Sequence, residues 1–501
     1  MNTIRTIDVS VFADRRALVE VKNYPVAENG ITFLFGESGI GKSVISKALY
    51  GYLATPDLHI TVNNRTYAEH LSDPWTKSVR KNSFFVFQEP SSHLNPLMKI
   101  RDQLDEGSLR GIDDREILSR LWQSSSDNTL RSILDLFPKA YRPSGGEKQR
   151  VLLAMAFKRI EAWISGAHDD STMFVFDEPT GSLDNNYRNL FLRLLFERFA
   201  RRPFTATIIT HDYSIISEIY QHYQQFTPYV HFNELSRTAE NHTDVKVNTF
   251  SPEEYLSWLD APRRHDFPAD QARPVLEISP RFSIFGRELT IFSDSNRASA
   301  APLVINRGEM VYLKAPSGIG KTTLAKIIMG IYHPDQFAMR IDGLSVTNKT
   351  RHSFWQKSLW GKRTGMVFQH ADESLNLSST VRETFKGLPL RHAMTADRLD
   401  NHLSELFDRK HIPSLVNRKV AYLSGGQKQR LNLLRTLVLE TDLIVLDEPL
   451  NGLDFTSVKK VLSLLDEKRA KGSALLMISH NEEIFEHFID EKNIYYLGCT
   501  G

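Results

Sequence analysis

Apolar residues along the chain fall into short unbroken runs and into longer runs with helical spacing. Ile31–Phe35 (ITFLF) and Met310–Leu313 (MVYL) are rich in β-branched, aromatic and aliphatic side chains. Runs of that length predict strands buried on both faces, as in a parallel sheet. Each ends in a glycine-bearing loop, and beyond each loop the spacing turns helical, in VISKALYGYL and TLAKIIMGIY. Phe174–Phe176 and Leu443–Leu446 predict further buried strands, each ending at an aspartate. Thr207–Thr210 and Leu475–Ser479 run into a histidine. The fold class expected is α/β, with polar residues at strand C-terminal ends, where such sheets bind ligands.

The succession is written twice. GESGIGKS (Gly36–Ser43) recurs as APSGIGKT (Ala315–Thr322), and VFQ ends at Gln88 and again at Gln369. SGGEKQR starts at Ser144 and SGGQKQR at Ser424; FVFDEP holds Asp177 and Glu178, and IVLDEP holds Asp447 and Glu448. TH ends at His211 and SH at His480. The offsets are 321 − 42 = 279 at the lysines, 424 − 144 = 280 at the serines and 447 − 177 = 270 at the aspartates. The first half therefore carries about ten extra residues after its SGG segment, around Gly166–Thr172 (GAHDDST), which reads as a surface loop. A motif set repeated at this period means two copies of one domain. The boundary falls in Asn241–Val275, with four prolines, mixed charge and one short helix around Glu253–Leu259. The expected division is a first domain over 1–240, a linker over 241–275 and a second domain over 276–501, each domain large enough for an accessory subdomain.

Composition excludes several classes. The chain has 62 basic and 60 acidic side chains, a balance that gives no argument for nucleic acid, whose binding domains are usually strongly basic. One cysteine, Cys499, cannot form an internal disulfide, a cysteine-rich zinc site or an iron–sulfur cluster. The start MNTIRTIDVSVFADRR has no apolar core of signal-peptide length. No apolar run approaches the roughly 20 residues that span a bilayer, so the chain is not expected to cross a membrane by itself.

Strand, glycine loop and helix together form a phosphate site: backbone N–H groups wrap the anion and the positive helix end faces it. Gly39, Gly41, Gly318 and Gly320 let the backbone approach. Lys42 and Lys321 are expected to add charge at the β- and γ-phosphates, and Ser43 and Thr322 to ligate magnesium, a hard cation that prefers oxygen. The expected ATP-contacting stretches are Gly36, Glu37, Ser38, Gly39, Ile40, Gly41, Lys42, Ser43 and Val44, and Ala315, Pro316, Ser317, Gly318, Ile319, Gly320, Lys321, Thr322 and Thr323. Asp177 and Asp447 are placed to hold magnesium through water. Glu178 and Glu448 are placed as general bases for the attacking water, a role worth typically about 10²–10⁴-fold. His211 and His480 are placed to bond the γ-phosphate and the water, and Gln88 and Gln369 to touch magnesium and sense the γ-phosphate. A lone DE pair or histidine at a strand end is commonly structural; the ordered set, repeated, is what argues for catalysis.

SGGEKQR and SGGQKQR resemble the signature of the ATP-binding-cassette (ABC) ATPases, and the motif order is similar to that family along nearly the whole chain. The resemblance implies two tandem P-loop NTPase domains with RecA-like cores, each with an antiparallel β region and a helical subdomain. It implies ATP and Mg2+ as ligands and ATP hydrolysis as the activity. It also implies an intramolecular cassette pair, with Ser424, Gly425 and Gly426 closing over ATP held by Lys42, and Ser144, Gly145 and Gly146 over ATP held by Lys321. Ser182–Asp184 and Gly452–Asp454 match the family's loop that crosses between sites. Pro143 stands where leucine is common and Glu147 where glutamine is common; proline suits a helix start, so both sites are expected to be competent. Phe12 and Phe282 are candidates for stacking on adenine or, equally, core strand residues.

FQEPSSHLNP (Phe87–Pro96) and FQHADESLN (Phe368–Asn376), with GESG, resemble the oligopeptide, dipeptide and nickel importer ATPases. That implies integral membrane permease subunits as partners, a substrate-binding protein beside them, and a place on the cytoplasmic face of the inner membrane. The alternative is an ABC ATPase acting on ribosomes or DNA without a permease. Ribosome-associated members usually carry a long charged helical linker, whereas Asn241–Val275 is short and broken by proline. No nucleic-acid partner is expected.

Overall fold

The computed structural model describes the chain apart from residues 1–2, 15, 54–55, 107–108, 110, 125, 127–133, 135–142, 167–170, 182–184, 239–243, 262–269, 317, 336 and 500–501. It divides into two units, Met1–Leu256 and Ser257–Gly501.

In the first unit the parallel strands stand in the order Val230–Arg237, Ile31–Gly36, Ala206–Ile209, Phe174–Asp177, Phe85–Val86. Every residue of Ile31–Gly36, Phe174–Asp177 and Ala206–Ile209 is buried. A strand covered on both faces has no solvent side, so its sequence need not alternate. The same sheet continues through Asp244–Thr249, Arg16–Ala27, Ile4–Ala13, Leu58–Val62 and Arg65–Thr66. Ile4–Ala13 and Arg16–Ala27 are an antiparallel pair.

The second unit repeats the parallel order with Ile494–Cys499, Met310–Lys314, Ala474–Ile478, Leu443–Asp447 and Thr364–Val367. The hairpin Arg281–Ile284 and Arg287–Phe292 extends this sheet. A separate antiparallel sheet runs Leu303–Arg307, Asp270–Ile278, Ala338–Ile341, Leu344–Thr347. The expected α/β class, with an antiparallel region in each half, is the fold observed. In each unit the glycine-loop strand is central, flanked by the histidine strand, then the aspartate strand, then the glutamine strand.

Of the stretch 241–275, read as a linker, the described residues are largely in regular elements. Asp244–Thr249 pairs with Val230–Arg237 and Arg16–Ala27, Pro252–Leu259 is a helix, and Asp270–Ile278 is a sheet strand. Two of its prolines punctuate rather than interrupt: Pro252 opens the helix, where its missing N–H costs nothing, and Pro274 sits at a register shift in its strand; Pro262 and Pro268 lie outside the described residues.

The extra residues of the first half are mostly helix. The helix opened by the SGG segment runs Gly145–Ser165, against Gly425–Leu437 in the second half, a difference of 21 − 13 = 8 residues. Glu161 secures the extension by ion pairs to Arg198 at 3.0 Å and Arg201 at 2.8 Å, and Trp163 packs edge-on to Phe204. The surface loop expected around Gly166–Thr172 lies partly outside the described residues. Among the described residues no helix is long and apolar enough to cross a membrane.

Candidate active sites

The two glycine loops share left-handed glycines, Gly39 and Gly318 at φ +79° and +80° and Gly41 and Gly320 at φ +116° and +124°, but Ala315 stands where the first loop has Gly36. Gly36 has φ +132° and a Cβ there would stand 2.7 Å from the Leu235 carbonyl oxygen; Gly41 has φ +116° and a Cβ would meet Val19 at 2.8 Å. Both positions need glycine, because left-handed backbone and close approach each exclude a side chain. The helices Lys42–Tyr50 and Lys321–Ile328 start at Gly41 and Gly320 with no side-chain cap and no acidic residue in the first turn. Their first N–H groups thus remain available to an anion. Lys42 Nζ donates to the Gly36 carbonyl and, at 3.2 Å, to that of Glu37; Lys321 Nζ donates to the Ala315 carbonyl at 2.5 Å. Burial pulls the Lys42 ammonium below its ordinary range, opposed by Glu178 and Asp177 nearby. Ile40 is a core residue and Val44 and Ile319 pack against the cores, so their side chains are occupied. Ser317 lies outside the described residues.

Asp177 and Asp447 are buried at the ends of their strands, at 2% and 1% exposure. Burial pushes each carboxyl up to about 6, opposed most by the hydroxyls of Ser43 and Thr322. Asp177 Oδ1 and both carboxylate oxygens of Asp447 are buried without a hydrogen-bond partner. Unsatisfied buried oxygens beside a hydroxyl, all hard donors, fit a magnesium ion. The glutamine strands pair in parallel with the aspartate strands, Val86 opposite Phe176 and Val367 opposite Leu446. Gln88 and Gln369 therefore follow two residues past the last pair, one residue beyond the register of Asp177 and Asp447. Gln88 is exposed and Gln369 half-buried, and the structure gives neither a contact with the aspartates.

Glu178 and Glu448 have φ +48° and +50°. Left-handed backbone at a non-glycine residue costs about 1–3 kcal/mol and persists only where surroundings impose it. The histidine strand supplies part of that restraint: the N–H of Glu178 donates to the Ile209 carbonyl at 2.9 Å, and that of Glu448 to Ile478 at 2.8 Å. His211 Nδ1 lies 2.8 Å from Glu178 Oε1. Burial alone would lower the His211 pKa, but Glu178 outweighs it and the net direction is upward. In the second half His480 Nε2 lies 3.6 Å from Glu448 Oε1. Glu448 is nearly fully buried and burial raises its carboxyl, while Ser479 donates to Oε2 at 2.9 Å.

The SGG segments cap their helices. Ser144 Oγ accepts from the N–H of Glu147 at 3.3 Å, and the Ser144 N–H donates to Glu147 Oε2 at 2.7 Å. Ser424 and Gln427 make the same reciprocal pair at 3.2 and 3.1 Å. Glutamate and glutamine both complete such a capping box, which explains the difference between the two signatures. Pro143 precedes the cap and lies outside the helix. Two residues escaped the sequence reading. Gln149 Nε2 donates to the Pro179 carbonyl at 3.2 Å, and Gln429 Nε2 to the Glu448 carbonyl at 3.3 Å. The available signal was a glutamine at the same place in both SGG segments.

Phe282 is a core residue, 2% exposed and edge-on to Phe337, which removes it as a stacking surface. Phe12 is half-buried opposite Ala17 in the hairpin. Ser182–Asp184 lie outside the described residues; in the second half Asp454 caps the helix Phe455–Ala470 through the N–H of Ser457 at 2.7 Å.

The sequence profile described as "ABC transporter" matches residues 20–181 and 299–451. The chain belongs to the ABC transporter family. It is 28% identical over 471 residues to the uncharacterized ABC transporter ATP-binding protein YejF of Escherichia coli (strain K12), covering 89% of this chain and 84% of that one. Over 191 residues it is 30% identical to the nickel import ATP-binding protein LarO of Lactiplantibacillus plantarum, covering 37% of this chain and 79% of that one. Among solved structures, the archaeal ribosome recycling factor aABCE1, in its complex with the stalk protein aP1, matches with a TM-score of 0.63 at 18% identity. That match covers 96% of this chain and 87% of the other and shows a shared tandem fold. As an ABC ATPase the chain binds and hydrolyses ATP.

Proposed function

We propose that each half binds MgATP at its glycine loop and hydrolyses it with its own glutamate. Lys42 and Lys321, with the uncapped helix N-termini, hold the β- and γ-phosphates. Ser43, Asp177 and Gln88, and Thr322, Asp447 and Gln369, are the residues that would hold magnesium. The ion, when bound, offsets phosphate charge. Glu178 and Glu448 orient the attacking water and accept its proton, with His211 and His480 beside them. Phosphoryl transfer asks little covalent chemistry of a protein, so positioning and charge do most of it. The carrying observation is the set of partnerless carboxylate oxygens of Asp177 and Asp447 beside Ser43 and Thr322. Glu178→Gln and Glu448→Gln, made separately, are each expected to lower steady-state hydrolysis; full turnover in either variant would remove that half from the proposal. In this reading the signature of each half serves the nucleotide of the other. The tether gives an effective concentration on the order of millimolar, so pairing needs no second chain.

The hydrolysis is proposed to energise a membrane importer of peptide, nickel or a related small solute, from the cytoplasmic face of the membrane. The supporting feature is a repeated surface beside each glutamine loop. The Leu97 N–H donates to Asn95 Oδ1 at 2.9 Å, and the Ser378 N–H to Asn376 Oδ1 at 3.1 Å. At these matching turns Leu97 is 82% and Leu377 38% exposed. Each turn thus holds out one leucine, two residues after the asparagine in the first half and one residue after it in the second, and an apolar side chain so presented suits a permease helix. Co-purification of a Glu178→Gln/Glu448→Gln variant from membranes tests this. An integral membrane partner is expected; ribosomes or DNA without one would sink the importer reading in favour of the permease-free alternative.

A further inference from the structure

We propose that Gln149 and Gln429 are positioning residues, each tying the signature helix of its half to the peptide segment that carries the catalytic glutamate. The proposal rests on the reading of Glu178 and Glu448 as general bases. Both glutamines are the fifth residue of their helices and both are buried, at 2% and 4% exposure. A buried amide needs partners, and many acceptors could serve. In both halves the acceptor lies in the same short segment: the carbonyl of Pro179, next to Glu178, at 3.2 Å, and the carbonyl of Glu448 itself at 3.3 Å. The glutamate N–H is bonded on the other side to the histidine strand, at 2.9 Å from Ile209 and 2.8 Å from Ile478. Each left-handed glutamate is thus clamped between its neighbouring strand and its signature helix.

The clamp has a mechanical consequence. Strand geometry does not hold a residue at φ near +50°; its surroundings must. Without the amide, one side of the peptide loses its restraint while the strand bond remains. The glycine loop, the lysine and the aspartate do not depend on that bond. Loss of the tie should therefore slow the chemical step and spare nucleotide binding. It also makes the signature helix and the base move together, so a displacement of the helix reaches the carboxylate within its own half.

The test uses the full chain with Gln149→Met and Gln429→Met, which keep side-chain volume and remove the donor. A misplacement of about 1 Å costs on the order of 10²-fold, so a partial loosening is expected to lower kcat about tenfold. KM for MgATP and the thermal midpoint should stay near wild type. Single-turnover hydrolysis in the Glu178→Gln background assigns the effect: Gln429→Met should slow the remaining site and Gln149→Met should not. Gln429→Glu, which sets a carboxylate against the carbonyl, should lose kcat likewise and serves if the methionine variant folds poorly. Wild-type kcat in Gln149→Met and Gln429→Met, or a kcat that falls only in step with the folded fraction, overturns the proposal. Wild-type hydrolysis in Glu178→Gln and Glu448→Gln would instead overturn the reading of the bases on which it rests.

Discussion

Ser479 donates from Oγ to Glu448 Oε2 at 2.9 Å while accepting from the Asn481 N–H at 3.1 Å, whereas its counterpart Thr210 makes the same accepting bond, from the Asp212 N–H at 3.0 Å, and Glu178 is met by His211. The two halves therefore hold their glutamates differently: Glu178 meets the His211 imidazole at 2.8 Å, whereas Glu448 meets the Ser479 hydroxyl, with the His480 ring farther off at 3.6 Å. A hydrogen bond to a charged group contributes about 1.5–3 kcal/mol, and part of that is expected in the barrier. Ser479→Ala should slow the second half roughly tenfold, by the conversion of about 1.4 kcal/mol per decade. Thr210→Ala should leave the first half close to wild type. Conversely, His211→Ala should impair its half more than His480→Ala impairs the other. Single-turnover hydrolysis with the opposite glutamate changed to glutamine measures each half alone; equal losses in the two halves would show that the asymmetry has no kinetic weight.

The signature caps predict a difference between two changes at one position. Glu147→Gln copies the second half and retains the reciprocal bonds to Ser144, whose geometry Gln427 shows is compatible with either side chain. It should leave the thermal midpoint and hydrolysis nearly unchanged. Glu147→Ala leaves the Ser144 N–H without its acceptor, and Ser144→Ala removes the cap itself, a loss of typically about 1 kcal/mol. Both should lower the midpoint, measured by calorimetry, and the serine variant should also lose turnover if the hydroxyl meets nucleotide.

The parallel core was legible because burial on both faces forces unbroken apolar runs, as in Phe174–Asp177 and Leu443–Asp447. The motif residues were legible because they stand at the ends of those runs. Asp244–Thr249 was not, since only Val245 is buried within it and its charged and polar residues, at the head of a stretch with four prolines, read as connector. The extension of the first signature helix was hidden for a related reason: Arg159–Ser165 is only partly buried, and its stability comes from Arg198, Arg201 and Phe204, distant in sequence. The Ser479 and Thr210 contrast was invisible because the two residues differ by a methyl group and accept the same N–H two residues on; only the donation to Glu448 separates them, and that depends on where the glutamate carboxylate lies. Gln149 and Gln429 were passed over because a polar residue near a helix start is ordinarily solvated, and only the packing shows them buried.

His70 predicts an acid sensitivity away from the active sites. Its ring is buried, Nε2 lies 3.0 Å from the Leu49 carbonyl of the helix that follows the first glycine loop, and Nδ1 is 3.3 Å from Thr76 Oγ1. Burial lowers its pKa, more than the Leu49 carbonyl raises it. The folded protein therefore binds this proton less readily than the unfolded chain, whose histidine titrates near about 6.5. Stability from the neutral ring is full above that value and is lost as pH falls below it toward the folded pKa. The thermal midpoint should drop between pH 7 and pH 5, and His70→Gln should flatten part of that drop. Burial also lowers His93 and His231, so the variant should not flatten it completely. An unchanged slope in the variant would assign the acid sensitivity elsewhere.

Lys158 holds an ion network at a place where the second half of the repeat has an apolar residue. It lies on the first signature helix, 1% exposed, with Nζ 2.5 Å from Asp105 and 3.0 Å from Asp114. Its counterpart at the serine offset, 158 + 280 = 438, is Val438. An apolar residue is therefore compatible with this place in the fold. Removing one partner of a buried pair typically costs about 3–5 kcal/mol, because the other charge stays buried alone. Here Arg101 still reaches Asp114 at 2.9 Å, and Asp105 is partly exposed. Lys158→Met should thus cost less, about 2 kcal/mol, still in the range of a lost charged hydrogen bond. Lys158→Met with Asp114→Asn should recover much of that loss, since the uncompensated carboxylate is gone. The double-mutant cycle, read in thermal midpoints, isolates the pair. Additive losses would mean that Arg101 already satisfies Asp114 and that Lys158 contributes mainly by filling space.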